Sequence, residues 1–275
     1  MTVSWCVPLT SSVQDERCKR VISPHAIIEP GAKIGANVSI GPWSYIGNDV
    51  EIGDGSIIGS HAVIKGPSKI GKNNRVFQFA TLGEECQDKK YQGEDTTLIV
   101  GDNNVFRECV TVHRGTIQDK GETIIGSNNL FMNYVHVAHD CVVGDNVIMA
   151  NNASIAGHVH LGDWAIMGGM SGAHQFVKIG AHAFVGASAT VLKDIPPYVL
   201  CSGHPAKAFG LNVEGLKRRG FDKQTLLAIR RAYKAVFRGS ETVTEAIEAL
   251  NQQEQISEVQ AFIDFIAHSE RGIAK

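Results

Sequence analysis

The first residues of this sequence that could carry out chemistry are two histidines three apart, with an aspartate directly after the second. His136, His139 and Asp140 stand in the segment NYVHVAHDCVVGDN, residues 133–146. Two imidazoles can ligate a metal, or one can act as a general base whose tautomer is fixed by a neighbouring polar group. They can also be polar decoration on a structural element, so the elements that position them decide between these interpretations.

A period of six residues through about two thirds of the chain identifies those elements. Every sixth residue is apolar from Ile22 to Leu82, and again from Ile125 to Val191. Between these runs the same spacing is kept by Ile99, Val105, Thr111 and Ile117, of which only the threonine is polar. Helices repeat near 3.6 residues and strands alternate every two, so a strict six predicts short strands separated by turns. Each strand is expected to point one apolar side chain inward.

The repeat resembles the hexapeptide-repeat family, whose pattern is [LIV]-G-x-x-[STAV]-x, over about residues 21–200. The resemblance implies an all-β left-handed parallel β-helix in which three hexapeptides, or 18 residues, form one triangular coil. The period breaks near residues 85–97 and 118–122, and each break predicts a loop that projects from the β-helix, where function often resides. Residues 1–20 are predicted to be an N-terminal extension, and residues 201–275 an α-helical C-terminal domain.

An 18-residue coil would stack His139, Gly157 and Gln175 along one edge of the β-helix. Val137 keeps the inward phase, so His139 is predicted to face outward at a corner. Parallel strands lie about 4.8 Å apart, so one small substrate can reach several members of this ladder. Three further histidines fall beside the same edge: His136, His158 and His174. Clustered outward imidazoles beside an accessible glycine favour a general base over surface decoration.

The hexapeptide pattern ends after Pro196 and Pro197, and apolar residues then recur at helical spacing. Helices are predicted over 223–238, 242–250 and 257–268. The stretch from Lys217 to Arg238 carries eight lysines and arginines against one acid, Asp222. A basic face of this kind in a slightly acidic protein predicts an acidic or phosphorylated partner.

Bulk composition excludes several classes of function. The 275 residues have a net charge of −2 and 43% hydrophobic residues, with no global charge signal for nucleic acid or membrane. No segment approaches the roughly 18 consecutive apolar residues of a membrane span, and the N-terminus lacks the apolar stretch of a signal peptide. The six cysteines are scattered without a C-x-x-C pair, so no disulfide framework is predicted and a cytoplasmic location is expected.

Several segments resemble the family of UDP-N-acetylglucosamine O-acyltransferases, which open lipid A biosynthesis. These segments are HVAHDC, NNASIAGHV, GGMSGAHQF, GEECQDKKYQGE, TVHRGT and NVEGLKRRGF. The resemblance implies transfer of an (R)-3-hydroxyacyl chain from acyl carrier protein to the 3-hydroxyl of UDP-N-acetylglucosamine. It also implies a homotrimer with active sites between subunits, direct attack on the thioester, and no metal or other cofactor beyond the phosphopantetheine of the carrier protein.

The same resemblance implies roles for individual residues. His139 is implied to be the general base, and the backbone N–H of Gly157 to stabilise the oxyanion. Residues implied to bind the nucleotide sugar are Asp88, Lys90, His136, His158, His174, Gln175, Asn212, Glu214, Arg218 and Arg219. Residues implied to measure the acyl chain are Gly169, Phe184 and Ala187. Since alanine is larger than glycine and smaller than methionine, Ala187 predicts an intermediate acyl length.

Other functions remain open from the sequence. A zinc hydro-lyase like the γ-carbonic anhydrases would use a trimeric hexapeptide β-helix, with His113, His136 and His139 as ligands. That chemistry has no need of the QDKKY loop or the KRRG helix. A related N-acyltransferase acting on a glucosamine amine has a separate N-terminal uridine-binding domain, which about twenty residues cannot supply. A non-catalytic β-solenoid would leave the clustered histidines without a role.

Overall fold

The computed structural model describes residues 21–252 and 255–275, so the predicted N-terminal extension lies outside the described residues. In chain order the first strands are β1 (Ile27–Ile28), β2 (Lys33–Ile34), β3 (Ser39–Ile40), β4 (Tyr45–Ile46), β5 (Val50–Ile52), β6 (Ile57–Ile58), β7 (Val63–Ile64), β8 (Ser68–Ile70), β9 (Arg75–Val76), β10 (Thr81–Glu84), β11 (Thr97–Val100), β12 (Val105–Phe106), β13 (Thr111–His113) and β14 (Glu122–Ile125). The remaining strands are β15 (Leu130–Phe131), β16 (His136–Val137), β17 (Val142–Val143), β18 (Ile148–Met149), β19 (Ser154–Ile155), β20 (His160–Leu161), β21 (Ile166–Met167), β22 (Gly172–Ala173), β23 (Lys178–Ile179), β24 (Phe184–Val185), β25 (Thr190–Val191), β26 (Val199–Gly203) and β27 (Ala206–Leu211).

These strands form three sheets, which are the faces of a triangular β-helix. Sheet 1 contains β1, β4, β7, β10, β13, β16, β19, β22 and β25; sheet 2 contains β2, β5, β8, β11, β14, β17, β20 and β23; sheet 3 contains the remaining strands. Parallel partners are usually 18 residues apart, as in the pairing of His136 with Ser154 and of Ser154 with Gly172. The predicted fold class, a left-handed parallel β-helix followed by an α-helical C-terminal domain, is confirmed.

The core consists of one inward aliphatic side chain from each short strand. Val137 and Ile155 are both fully buried in neighbouring coils of sheet 1, as the six-residue period predicts. The corners between sheets need a residue with positive φ, which asparagine tolerates better than most residues. Many corners hold asparagine, but the corner between sheets 1 and 2 holds Asp140, His158 and Phe176, with φ of 57°, 63° and 66°.

The inward phase predicted for residues 99–117 is wrong by one residue. Val100, Phe106 and Val112 are the buried residues, and they continue the phase that begins at Ile22. The reason lies in the lengths of the two loops. Sheet 3 pairs Val76 with Phe106, and Phe106 with Phe131, so these coils contain 30 and 25 residues instead of 18. The first loop inserts two hexapeptides and keeps the phase, and the second inserts seven residues and shifts it.

The chain leaves the β-helix through an antiparallel hairpin, β26–β27, for which the sequence pattern predicted no strands. The helices that follow are α1 (Val213–Arg218), α2 (Lys223–Arg238), α3 (Val243–Asn251) and α4 (Ser257–Ala267). The last three occupy the segments with predicted helical spacing. Asp222 caps α2 by accepting hydrogen bonds from the N–H groups of Gln224 and Thr225. Within the described residues, none of the helices has the length and apolar character to cross a membrane.

Candidate active site

A groove of about 600 Å³ follows the outer face of sheet 1 at its corner with sheet 2. Short strands place outward side chains along this face, and the corner turns aim further side chains over its edge. The groove brings together the predicted residues Asp88, His136, His139, Gly157, His174 and Gln175, and its other lining residues include Gln87, Ser154, Gly172, Thr190 and Leu192. The stacking of positions 139, 157 and 175 predicted from an 18-residue coil is confirmed.

His139 is held by a hydrogen bond to the carboxylate of its neighbour. Its Nδ1 lies 2.8 Å from Oδ2 of Asp140, whose side chain is buried. Asp140 is fixed in turn by Thr116, whose backbone N–H donates to Oδ1 at 2.8 Å and whose hydroxyl donates to Oδ2 at 2.6 Å. Because the carboxylate engages Nδ1, the other ring nitrogen, Nε2, is left to accept a proton.

The environment of Asp140 keeps this carboxylate ionised. Burial alone would raise its pKa, but hydrogen bonds from His139 and Thr116 outweigh burial, and the pKa lies below its ordinary value. An ionised carboxylate at Nδ1 stabilises the positive charge that an imidazole gains when it takes a proton. The pair therefore has the geometry and the charge of a general base with an orienting group.

Gly157 is the residue over which the His139 ring lies. A Cβ atom built at Gly157 would be 2.5 Å from Cε1 and 2.7 Å from Nε2 of His139. Any side chain here would push the imidazole away from its present position, which explains the glycine without reference to backbone conformation. Among the described residues the N–H of Gly157 has no hydrogen-bond acceptor, so this donor is available beside Nε2.

His158 is held on the other side of His139. The two rings are perpendicular with centroids 5.1 Å apart, and the His158 ring stacks on Phe176 at 4.3 Å. Its Nδ1 lies 2.9 Å from Oδ2 of Asp119. Sequence reasoning missed both Asp119 and Thr116, although the broken period near residues 118–122 marked the segment that carries them.

His136 lies one strand position before His139 and is oriented by sheet 1. Thr111, the polar member of the predicted inward set, faces outward, and its hydroxyl lies 2.8 Å from Nδ1 of His136. The ring also packs edge-on against His113 with centroids 5.0 Å apart. Burial, together with the nearby His139, lowers the pKa of His136. His136 therefore presents a neutral imidazole to the groove near neutral pH.

Acidification is expected to destabilise the fold because several histidines are buried in their neutral form. Burial and the neighbouring His136 lower the pKa of His113 to about 4, whereas an unfolded histidine titrates near 6.5. Between these values the unfolded chain binds more protons, so stability falls as pH drops below about 6.5 and the loss is complete near 4. Urea unfolding should show a lower midpoint at about pH 5 than at about pH 7, with a smaller difference in His113→Gln. An equal difference in the variant would contradict this assignment.

The loop at residues 85–97 brings Asp88 to the groove. The phenol of Tyr91 accepts a hydrogen bond from the Arg114 guanidinium at 3.0 Å, which ties the loop to the β-helix. The backbone N–H of Lys90 donates to Asp88 at 2.9 Å. Lys90 is exposed and does not line the groove of its own chain.

Four predicted nucleotide-binding residues lie away from this groove, at the corner between sheets 2 and 3. Asn212 caps α1 and donates to the His182 carbonyl at 3.0 Å. Arg219 lies over the Trp164 ring, and its NH1 is 3.2 Å from Nδ1 of His182. The exposed remaining pair is Glu214 and Arg218. In one chain these residues and His139 occupy different corners of the triangle.

The predicted acyl-chain residues lie at the third corner, between sheets 3 and 1. Gly169 and Ala187 are one coil apart in this corner, where the N–H of Ser188 donates to the Gly169 carbonyl. Phe184 points outward from the adjoining strand β24. All three therefore lie along the opposite edge of sheet 1 from His139.

Donor atoms of His139, Asp140 and His158 lie within 4.8 Å of one another, close enough to surround a cation. Both Asp140 oxygens, however, already accept hydrogen bonds from His139 and Thr116. With these lone pairs engaged, the cluster suits proton transfer better than metal ligation.

Comparison with known proteins gives the same family along most of the chain. Residues 194–274 match the family described as Udp N-acetylglucosamine O-acyltransferase, domain 2, and residues 31–66 and 122–157 match the bacterial transferase hexapeptide family. A relative from Stutzerimonas stutzeri (strain A1501), named acyl-[acyl-carrier-protein]--UDP-N-acetylglucosamine O-acyltransferase, is 50% identical over 256 residues, covering 93% of this chain and 99% of the relative.

Solved structures agree with this relationship. LpxA from Acinetobacter baumannii is 49% identical, with a TM-score of 0.90 over 93% of this chain and 100% of that chain. UDP-N-acetylglucosamine O-acyltransferase (LpxA) from Moraxella catarrhalis is 46% identical, with a TM-score of 0.90 over 92% of this chain and 99% of that chain. Both likenesses include the β-helix and the C-terminal helices.

Proposed function

Because this chain belongs to the family of acyl-[acyl-carrier-protein]–UDP-N-acetylglucosamine O-acyltransferases, we propose that it catalyses that reaction in the first step of lipid A biosynthesis. A (R)-3-hydroxyacyl chain moves from acyl carrier protein to the 3-hydroxyl of UDP-N-acetylglucosamine. The observation that carries the proposal is the His139–Asp140 pair, whose free Nε2 lies over Gly157 in the groove.

The reaction proceeds by direct attack of the sugar on the thioester. Nε2 of His139 takes the proton from the 3-hydroxyl as that oxygen bonds to the thioester carbonyl carbon. The resulting tetrahedral intermediate collapses with cleavage of the carbon–sulfur bond. The imidazolium returns its proton to the departing phosphopantetheine thiolate, which leaves an ester on the sugar and a free carrier-protein thiol. The Asp140 carboxylate stabilises the imidazolium between these two proton transfers.

The negative charge on the intermediate needs a hydrogen-bond donor near His139. The N–H of Gly157 is one rung from His139 and has no acceptor among the described residues. A preorganised backbone donor at such a position stabilises an oxyanion more than the ground-state carbonyl. Gly157 thus serves twice, because its missing side chain makes room for the imidazole and its N–H faces the reacting carbonyl.

The groove residues around this centre bind the nucleotide sugar. Asp88, His136 and His158 surround the base and contact the sugar, and His174 with Gln175 continues the row toward the diphosphate. Nδ1 of His174 lies 3.4 Å from the Arg271 guanidinium, which adds positive charge at that end. Lys90 supplies a further cation from the 85–97 loop.

A homotrimer explains why other nucleotide-binding residues lie at a different corner. We place Asn212, Glu214, Arg218 and Arg219 of one subunit against the groove of its neighbour, where the arginines contact uridine diphosphate. Support comes from the corner between sheets 3 and 1, where large apolar side chains are exposed in a row. They are Trp43, Phe79, Tyr134 and Met170, each at least 57% exposed. An exposed apolar row of this length is typical of a protein interface.

Acyl carrier protein docks on the basic face of α2. Ile229, Tyr233 and Val236 bury one side of this helix, and the opposite side is exposed and basic. The exposed cations are Arg230, Arg231, Lys234 and Arg238. A one-signed patch attracts an acidic partner and accelerates its encounter.

The corner residue Ala187 is expected to set the accepted acyl length. Ala187→Gly should shift products toward longer 3-hydroxyacyl chains, because removing its methyl lengthens the space beside Gly169 at the end of the acyl path. Mass spectrometry of products from an equimolar mixture of acyl carrier proteins measures the shift. An unchanged distribution would contradict a role for this position in length selection.

The alternative zinc and N-acyltransferase functions are not favoured, since the relatives over nearly the whole chain are O-acyltransferases. The proposed function is tested by offering UDP-N-acetylglucosamine and a series of 3-hydroxyacyl carrier proteins to the purified protein. Release of carrier-protein thiol that requires the nucleotide sugar supports it. Absence of turnover with every chain length would overturn it.

A further inference from the structure

The second loop, residues 116–121, has no role in the function proposed above, yet it contacts both imidazole arrangements of the groove. Its first residue, Thr116, donates two hydrogen bonds to Asp140, the partner of His139. Three residues later, Asp119 places Oδ2 at 2.9 Å from Nδ1 of His158. A single short loop therefore fixes the orienting groups of two neighbouring histidines.

The backbone of this loop is closed on itself, which defines where the Asp119 carboxylate lies. The Thr116 carbonyl accepts hydrogen bonds from the N–H of Asp119 at 3.3 Å and of Gly121 at 3.0 Å. Gly121 has φ of +76°, a conformation that glycine adopts without strain. Its carbonyl accepts from the N–H of Thr97 at 2.8 Å, which pins the end of the loop to β11.

His158 is confined on every side by this arrangement. Phe176 stacks on its face, His139 meets its edge, and Nε2 lies 3.9 Å from Oδ2 of Asp140. Only 11% of its side chain is exposed, whereas the Asp119 side chain is 36% exposed. A carboxylate at Nδ1 places a proton on that nitrogen and fixes the rotation of the ring.

We propose that Asp119 is a positioning residue for the acyl transfer. It accepts a hydrogen bond from Nδ1–H of His158 and holds that imidazole against His139 and Asp140 at the sugar-binding part of the groove. This inference rests on the proposed function, since the position of His158 affects turnover only if the groove binds the nucleotide sugar.

A double-mutant cycle distinguishes action through His158 from a general effect of the loop. Asp119→Ala should lower kcat/KM for UDP-N-acetylglucosamine about tenfold, the loss expected for one charge-assisted hydrogen bond. In a His158→Ala background the same substitution should cause no further loss, because its partner is already absent. Gln118→Ala, an exposed neighbour in the same loop, should retain wild-type activity. Wild-type activity of Asp119→Ala, or additive losses in the double variant, would overturn the inference.

A spectroscopic measurement tests the contact independently of turnover. In protein labelled with ¹⁵N-histidine, the ring signals of His158 are assigned by their absence from His158→Ala. Wild type should show the proton on Nδ1, and Asp119→Ala should lose that preference. Unchanged ring-nitrogen shifts in Asp119→Ala would show that the carboxylate does not orient the ring. If wild type lacks transferase activity, the proposed function fails, and this spectrum still decides the inference.

Discussion

Replacing His139 with alanine is expected to lower kcat for acyl transfer about 1,000-fold, within the range of a positioned general base. Asp140 occupies Nδ1, so Nε2 is the one ring nitrogen available to the sugar hydroxyl. The imidazole lies outside the β-helix core, packed against His158, so its removal leaves the buried aliphatic rungs unchanged. Initial rates of carrier-protein thiol release measure the loss, and circular dichroism shows whether the fold is retained.

The matched control for this variant is His268→Ala. His268 is an exposed histidine at the end of α4, where Nδ1 lies 2.7 Å from the Asp264 carbonyl, and its loss should leave kcat unchanged. A folded His139→Ala protein with less than a tenfold loss in kcat would contradict the assignment of the base. An effect confined to KM would make His139 a binding residue.

Gly157→Ala is expected to lower kcat about 100-fold, although it adds a single methyl group. That methyl would lie 2.5 Å from Cε1 of His139, so the imidazole must move. Displacement of a reacting group by about 1 Å can reduce a rate roughly 100-fold. Gly157 does not adopt a positive φ, so alanine introduces no backbone strain there. Initial rates, together with the thermal midpoint, separate loss of geometry from loss of fold.

Gly47→Ala provides the control for this change. Gly47 lies beside sheet 1 in an earlier coil, and its nearest atoms to an added Cβ are 3.4 Å away, an ordinary contact. It should fold and turn over like wild type. Wild-type kcat in Gly157→Ala would show that the His139 ring does not need its present position over the glycine.

The sequence was sufficient for the parts of the fold that depend on local periodicity. The six-residue spacing identified the inward rungs from Ile22 to Leu82, and the helical spacing predicted residues 223–238, the observed extent of α2. The coil length then placed His139, Gly157 and Gln175 on one edge, because the repeat is regular from Ile125 onward. Regular spacing converts sequence separation directly into spatial position.

Local periodicity failed where position depends on partners distant in sequence. Thr111 looked like a polar interruption of the core because a loop of 12 extra residues preserves the phase, and the structure instead pairs it with His136. Asp119 reaches His158 across 39 residues, and only the geometry of the closed loop defines that contact. The β26–β27 hairpin has no hexapeptide pattern, since its second strand is antiparallel.

The most direct test of the central claim is identification of the product formed at this groove. The purified protein is incubated with UDP-N-acetylglucosamine, an equal amount of its 3-amino analogue and a 3-hydroxyacyl carrier protein, and the nucleotide sugars are analysed by mass spectrometry. We predict one 3-hydroxyacyl group on UDP-N-acetylglucosamine, released by mild base as expected for an ester, and lost when His139 is alanine. A nucleotide sugar that stays unacylated while the thioester remains intact, or an undiminished yield from His139→Ala, would contradict the account.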